Sequence, residues 1–194
     1  MASETGINTL KLSSGKNLTS EDWRLITEAA STKTTWPIYI DDSGGLTVME
    51  LKRRARLMSK SGIQIIFIDQ LSKIKSGIKG TEYEQKSYIV NELAELKKEL
   101  RMPVVLLAQI NRKLEDRTIK KPTLGDLKST GSIEEDSDIV IFIHRNYEYS
   151  KKEEEKYEGV IEIAKQRSGP TRSIPVNWTP KLTLFTEKTE ENQW

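Results

Sequence analysis

The chain has no cysteine, which excludes both a disulfide framework and a thiolate metal site. Its single histidine, His144, has no companion ligand set in the surrounding sequence, so a structural role is expected of it rather than metal binding. Long hydrophobic runs are missing too. No stretch approaches the ~18 apolar residues of a membrane span, and no signal-like apolar core follows Met1. A cytoplasmic protein without membrane association is the expectation. Excess charge of one sign is also lacking: 31 Lys and Arg oppose 29 Asp and Glu, for a net charge of +2. Any contact with nucleic acid must then come from local basic clusters. Finally, G-x-x-x-x-G-K-[ST], the loop whose amides and lysine cradle nucleotide phosphates, does not occur. Gly15-Lys16 is preceded by Leu12-Ser13-Ser14 and followed by Asn17, so it does not qualify.

What is present is enough for one solvated domain. Of the 194 residues, 36% are hydrophobic, sufficient for a single core, and 31% are charged. The chain is organised around Ile63-Gln64-Ile65-Ile66-Phe67-Ile68-Asp69, a β-branched and aromatic run ending in one carboxylate. It reads as a buried strand. Ligands of open α/β sheets sit beyond the carboxyl ends of the strands, which places Asp69 at a crevice mouth. The residues alone leave a second reading open, an aspartate that caps the next turn.

Residues 1–18 form a lead without assignable periodicity, and 19–194 read as the domain. Thr19, Glu21 and Asp22 supply capping and first-turn groups for a helix from about Ser20 to Ala30. After Pro37, Ile38 to Asp42 reads as a short strand with an acidic end. Thr47 and Glu50 form a capping box, and Val48, Leu51, Ala55 and Met58 share the helical face that follows. Lys52, Arg53, Arg54 and Arg56 lie opposite, as a solvated face or an interface. Gln70 to Gly80 suits a flexible crossover. A second box, Thr81 with Glu84, starts a helix whose Ile89, Leu93, Leu96 and Leu100 align, ending before Pro103. Val104 to Gln109 is the next strand. Strand, helix, strand at this spacing implies parallel pairing with a right-handed crossover, and hence an α/β fold.

Beyond Gln109 come a long basic loop from Arg112 to Lys121 and a strand over Ile139 to Ile143. A charged turn spans Lys151 to Lys156, a strand Gly159 to Ala164, and a basic turn Lys165 to Pro170. Two edge strands, near Ser173 to Trp178 and Leu182 to Thr186, finish the sheet. Four stretches then resemble one family. They are Ile65 to Leu71 with its Asp69, the exit Ala108-Gln109-Ile110-Asn111-Arg112, the Pro122 to Asp138 segment with its Asp126-Leu127-Lys128-x-x-Gly131-x-Ile133-Glu134-x-Asp136 pattern, and Ala164-Lys165-x-Arg167-x-Gly169-Pro170-Thr171. In this order they resemble the RecA-like ATPase domain of DnaB-type hexameric replicative DNA helicases.

The resemblance implies a RecA-like P-loop NTPase core, a mostly parallel sheet flanked by helices with C-terminal antiparallel edge strands. It implies ATP and Mg²⁺ as cofactors, with Asp69 as the Walker B carboxylate holding the metal. Gln109 would couple nucleotide state to the DNA loops. Lys165 and Arg167 would reach into a neighbouring subunit's nucleotide site, where arginine's rigid fork matches phosphate oxygens. Taken alone, these two also fit an ordinary basic hairpin turn. Lys128, Ser129 and Gly131 resemble the central-channel loop that holds single-stranded DNA by its phosphates, with Arg112 beside it. The family usually has arginine where Lys128 stands and glutamate where Ser129 stands, which weakens the expected grip. The implied partners are single-stranded DNA, five further copies of the chain in a hexameric ring, primase and a helicase loader. The family's phosphate cradle precedes the segments matched here, so the chain resembles the latter part of a motor domain, inactive in ATP hydrolysis by itself. A non-hydrolysing DNA-binding or assembly module, or more remotely a RecA-like recombinase relative, stays open beside the motor reading.

Overall fold

A computed structural model describes residues 1–110, 117, 120–130 and 132–188, with backbone only for 128–130. Its contacts cluster into two compact units, one comprising Met1–Tyr39, Ile143–Glu162 and the chain from Arg172 onward, the other Ile40–Phe142 and Ile163–Thr171. In chain order the first elements are α1 (Ala2–Thr5), α2 (Thr9–Ser14), α3 (Ser20–Thr34), α4 (Val48–Ser59), β1 (Ile66–Asp69), α5 (Glu82–Leu100) and β2 (Val104–Leu107). There follow α6 (Ile133–Asp136), β3 (Ile139–His144), α7 (Tyr147–Ser150), β4 (Glu158–Gln166), β5 (Arg172–Thr179) and β6 (Leu184–Glu187). Among the described residues, no helix is long and apolar enough to cross a membrane.

The larger unit is built on β1, α5 and β2. The two strands pair in parallel, Ile66 beside Val104 through Asp69 beside Leu107. Both flanking helices start on the threonine boxes legible in the sequence. Thr47 accepts from the Glu50 amide and Thr81 from the Glu84 amide, while each glutamate accepts in return from the threonine amide. Packing α4 and α5 against the strands buries Val48, Ala55, Ile68, Ile89, Val90, Leu93 and Leu96 in one cluster. The helix α5 stops where Arg101 turns left-handed (φ 51°) ahead of Pro103.

Three expectations need correcting here. The run ending at Asp69 is shorter as a strand than the sequence suggests, and it is buried on one side only: Ile68 is 8% exposed and its neighbour Phe67 66%. The helices cover a single face, leaving Phe67, Val105 and Leu107 in solvent. Residues Ile38 to Asp42 form no strand, and Ile38, Tyr39 and Ile40 are exposed. A strand needs a neighbour for its amides and carbonyls, and among the described residues none pairs with this stretch. The basic side of α4 is not simply a solvated face. Lys52 is 4% exposed, held between Glu92 and Glu95 of α5. Arg56 grips Glu99 through two bonds of 2.6 and 2.8 Å, and Arg54 reaches Asp41 at 2.5 Å. Burial pulls the Lys52 ammonium's pKa down, and the two carboxylates more than restore it.

The smaller unit carries α1 to α3 and the outer strands. Thr19 and Asp22 cap α3 reciprocally, and Lys11 joins Asp22 at 2.5 Å. The helix runs to Thr34 rather than Ala30, and in its second half Thr27, Ser31 and Thr32 donate back to carbonyls four residues earlier instead of ending it. Within this unit β5 and β6 pair antiparallel, Val176 beside Glu187 through Thr179 beside Leu184. Gly159 is required on β4: a Cβ there would stand 2.7 Å from the Phe185 ring.

Candidate functional site

Asp69 is the last residue of β1, in register with Leu107, so its carboxylate leaves the sheet at the same end as the β2 exit that carries Gln109. Both side chains are exposed. The turn that follows is pinned by Leu71, which is buried in the α4–α5 core. Among the described residues, the Asp69 carboxylate makes no hydrogen bond or ion pair, and no group of three or more acidic or histidine side chains could cage a metal. One open carboxylate without a cage fits Mg²⁺, which keeps water and phosphate ligands and needs few protein oxygens.

Lys165 and Arg167 lie together elsewhere in this unit, around α6. Lys165 is the penultimate residue of β4 rather than part of the turn, and its ammonium donates to the backbone carbonyls of Glu134 and Glu135. Arg167 donates to Asp138 Oδ1 at 3.0 Å and to the Glu135 carbonyl at 3.1 Å, and its backbone N–H donates to the Asp138 carbonyl at 3.0 Å. The other Asp138 oxygen is held by Lys97 of α5 at 2.5 Å. The Lys97 hydrogen bond, with Arg167 and Lys165 nearby, keeps the Asp138 carboxyl below its ordinary value. Among the described residues, no hydrogen bond or ion pair links this basic pair to Asp69 or Gln109, so within one chain the two halves of the candidate site stay separate.

The segment expected to be a channel loop contains a 3-10 stretch, Leu124–Thr130, whose backbone includes Lys128 and Ser129. Their side chains, and the whole of Arg112 and Gly131, lie outside the described residues. The base of the segment is held by Asp126, the first residue of the family-like pattern, through bonds that the pattern itself does not specify. Asp126 is buried and accepts from the Thr123 amide at 2.8 Å, the Thr123 hydroxyl at 2.9 Å, and both terminal nitrogens of Arg117 at 2.6 and 3.2 Å. Burial pushes the Asp126 carboxyl up, and these donors more than reverse it. Thr123-x-x-Asp126 repeats the Thr-x-x-acid spacing of the three helix boxes, and that repetition is the signal that finds it.

Residues 1–187 match the profile of the DnaB-like helicase C terminal domain. The chain belongs to that family. It is 37% identical over 188 residues to the replicative DNA helicase DnaC of Bacillus subtilis, covering 95% of the chain and 41% of that protein. It is 36% identical to the replicative DNA helicase DnaB of Mycobacterium leprae, covering 96% of the chain and 31% of that protein. Among solved structures, a DnaB-like replicative helicase described with its interactions with primase superposes with a TM-score of 0.88 at 28% identity, over 96% of this chain and 47% of that one. A second solved structure, described as an ATPase domain, gives 0.89 at 28% identity, over 96% and 67%. The chain thus spans about two fifths of the Bacillus protein's length. The RecA-like α/β class expected from the sequence is the fold of these neighbours.

Proposed function

We propose that the chain is part of the ATP-driven motor of a replicative DNA helicase, working in a hexameric ring on single-stranded DNA in the cytoplasm at the replication fork. The observation that carries this reading is the open Asp69 carboxylate at the strand end beside the Gln109 exit, in a chain of the DnaB-like family. Asp69 would hold Mg²⁺, which supplies charge neutralisation on the nucleotide phosphates when bound. Gln109 stands where a nucleotide-dependent shift could pass along the chain into the basic loop. Lys165 and Arg167, remote from Asp69 in bonding, serve a neighbouring copy's nucleotide, so the ring completes each site. Lys128, Ser129, Gly131 and Arg112 contact DNA phosphates without reading bases. Primase and a loader are the protein partners, the former because a structural neighbour is described in its interactions with primase.

The missing G-x-x-x-x-G-K-[ST] favours a second reading for the isolated polypeptide, a module that binds DNA or assembles without hydrolysing ATP. One experiment separates them. The isolated 194 residues should hydrolyse ATP at background, whereas the assembled helicase containing this chain should turn ATP over and lose that turnover on Asp69→Ala. Turnover by the isolated chain that Asp69→Ala abolishes would overturn the assignment of phosphate binding to another segment. Absence of turnover in the assembled protein would leave the module reading standing.

A further inference from the structure

Arg167 sits on a turn, on a long flexible side chain, and a group that stabilises charge across a subunit boundary must be held in a fixed direction to be useful. The structure supplies the hold. Asp138 takes one terminal nitrogen of the guanidinium at 3.0 Å, the Glu135 carbonyl takes the other at 3.1 Å, and the Asp138 carbonyl ties the Arg167 main chain at 3.0 Å. A guanidinium carries five N–H donors, and this arrangement occupies only part of them. The side chain stays 54% exposed, so the remaining donors are accessible. Lys97 on the second Asp138 oxygen, at 2.5 Å, has two effects. It fixes the carboxylate to α5, the helix joining the Asp69 strand to β2, whose exit carries Gln109. It also leaves the Lys97, Asp138 and Arg167 trio with a net positive charge to offer a phosphate.

We propose that Asp138, braced by Lys97, is a positioning residue that aims Arg167 at the nucleotide of the adjacent subunit. The proposal rests on the trans-acting reading of Arg167. Asp138 touches neither nucleotide nor metal; it acts through the arginine, and Lys97 acts through Asp138.

The test uses the assembled helicase. Asp138→Asn should lower kcat by about tenfold or more while KM for ATP moves by less than about twofold, because the lost interaction belongs to the transition state. In the Arg167→Ala background the same substitution should cost nothing further. Mixed rings then locate the residue. Asp138→Asn subunits should regain activity with Asp69→Ala subunits and should not with Arg167→Ala subunits, since both of the latter defects lie on the donating side. Multiplicative losses in the double variant, or recovery with Arg167→Ala, would overturn the proposal. Loss of activity in Asp138→Asn with no effect of Arg167→Ala would instead remove the reading on which it rests. Should Asp138→Asn fail to assemble, Lys97→Gln replaces it, with a smaller kcat loss and the same mixing pattern; an unchanged kcat there counts against the proposal. In the isolated chain, Asp138→Asn and Lys97→Gln should each lower the NMR order parameter of the Arg167 Nε–H bond, and an unchanged value overturns the positioning role.

Discussion

The two candidate regions of the larger unit differ in how far their polar groups are satisfied. At the end of β1, Asp69 is exposed and, among the described residues, unpartnered. Around α6, Lys165, Arg167 and Asp138 are bound to one another or to main-chain carbonyls. An open carboxylate is poised to take a ligand from outside, while a tied arginine is poised to act at a fixed place. The contrast teaches that one unit can leave one charged group unsatisfied while tying others down; on the proposed reading the two are halves of a site that association completes.

The sharpest way to break that contrast is to remove each half in turn. In the assembled helicase, Arg167→Ala and Asp69→Ala should each depress ATP hydrolysis by roughly 10³-fold, with nucleotide binding and ring formation retained for Arg167→Ala. Mixing the two variants should restore part of the rate, because an intact Asp69 can then face an intact Arg167 across an interface. A flat, inactive profile at every mixing ratio, with subunit exchange confirmed, would place Arg167 in its own subunit's site.

Stability separates the covered and open sides of the Asp69 region. Leu96 is fully buried, and Leu96→Ala should cost about 2–5 kcal/mol in denaturant unfolding. Phe67, one residue from buried Ile68, should cost less than about 1 kcal/mol on Phe67→Ala. A large loss at Phe67 in the isolated chain would show that its face is covered after all. On the DNA side, Lys128→Ala should weaken single-stranded binding alike on every sequence and reduce the salt slope by about one.

The smallest effect is a pH dependence confined to the tied region. The Asp138 carboxyl lies below its ordinary value of 3.8, chiefly through the Lys97 hydrogen bond. Folding therefore favours its charged form, and its stabilisation is present above that ordinary value and lost as pH falls through the lower folded value. The stability difference between the unsubstituted chain and Asp138→Asn should be full near pH ~6 and fade toward pH ~2. Acid denaturation followed by circular dichroism measures it, and a difference that grows on acidification would reverse the sign assigned here.

Helix α5 and the start of α4 were legible because their signals are local. A threonine box with apolar residues at helical spacing specifies both start and buried face without reference to the rest of the chain. The acid at the end of a hydrophobic run likewise located Asp69 at a strand terminus. What escaped depends on neighbours distant in sequence. One-sided burial of β1 follows from which helices are present to cover it, and Ile38 to Asp42 stays irregular without a pairing strand. Lys52 reads as a surface cation until Glu92 and Glu95 arrive from the next helix. Arg167 is held by Asp138 and by the carbonyl of Glu135, about thirty positions earlier, and a backbone carbonyl leaves no residue-type signature at all.

The alternation along β1, β2 and β3 has a calorimetric consequence. Phe67, Val105 and Leu107, and on β3 Ile139, Ile141 and Ile143, are already 37–66% exposed in the folded chain, so unfolding adds less new apolar hydration at these positions than at buried ones. Heat capacity of unfolding tracks newly exposed apolar area. The isolated chain should therefore fall below the usual ~12–15 cal/mol/K per residue, with a correspondingly flat stability curve. Whatever polypeptide comes to cover these side chains should announce itself in titration calorimetry as a negative heat-capacity change, whatever the sign of its enthalpy.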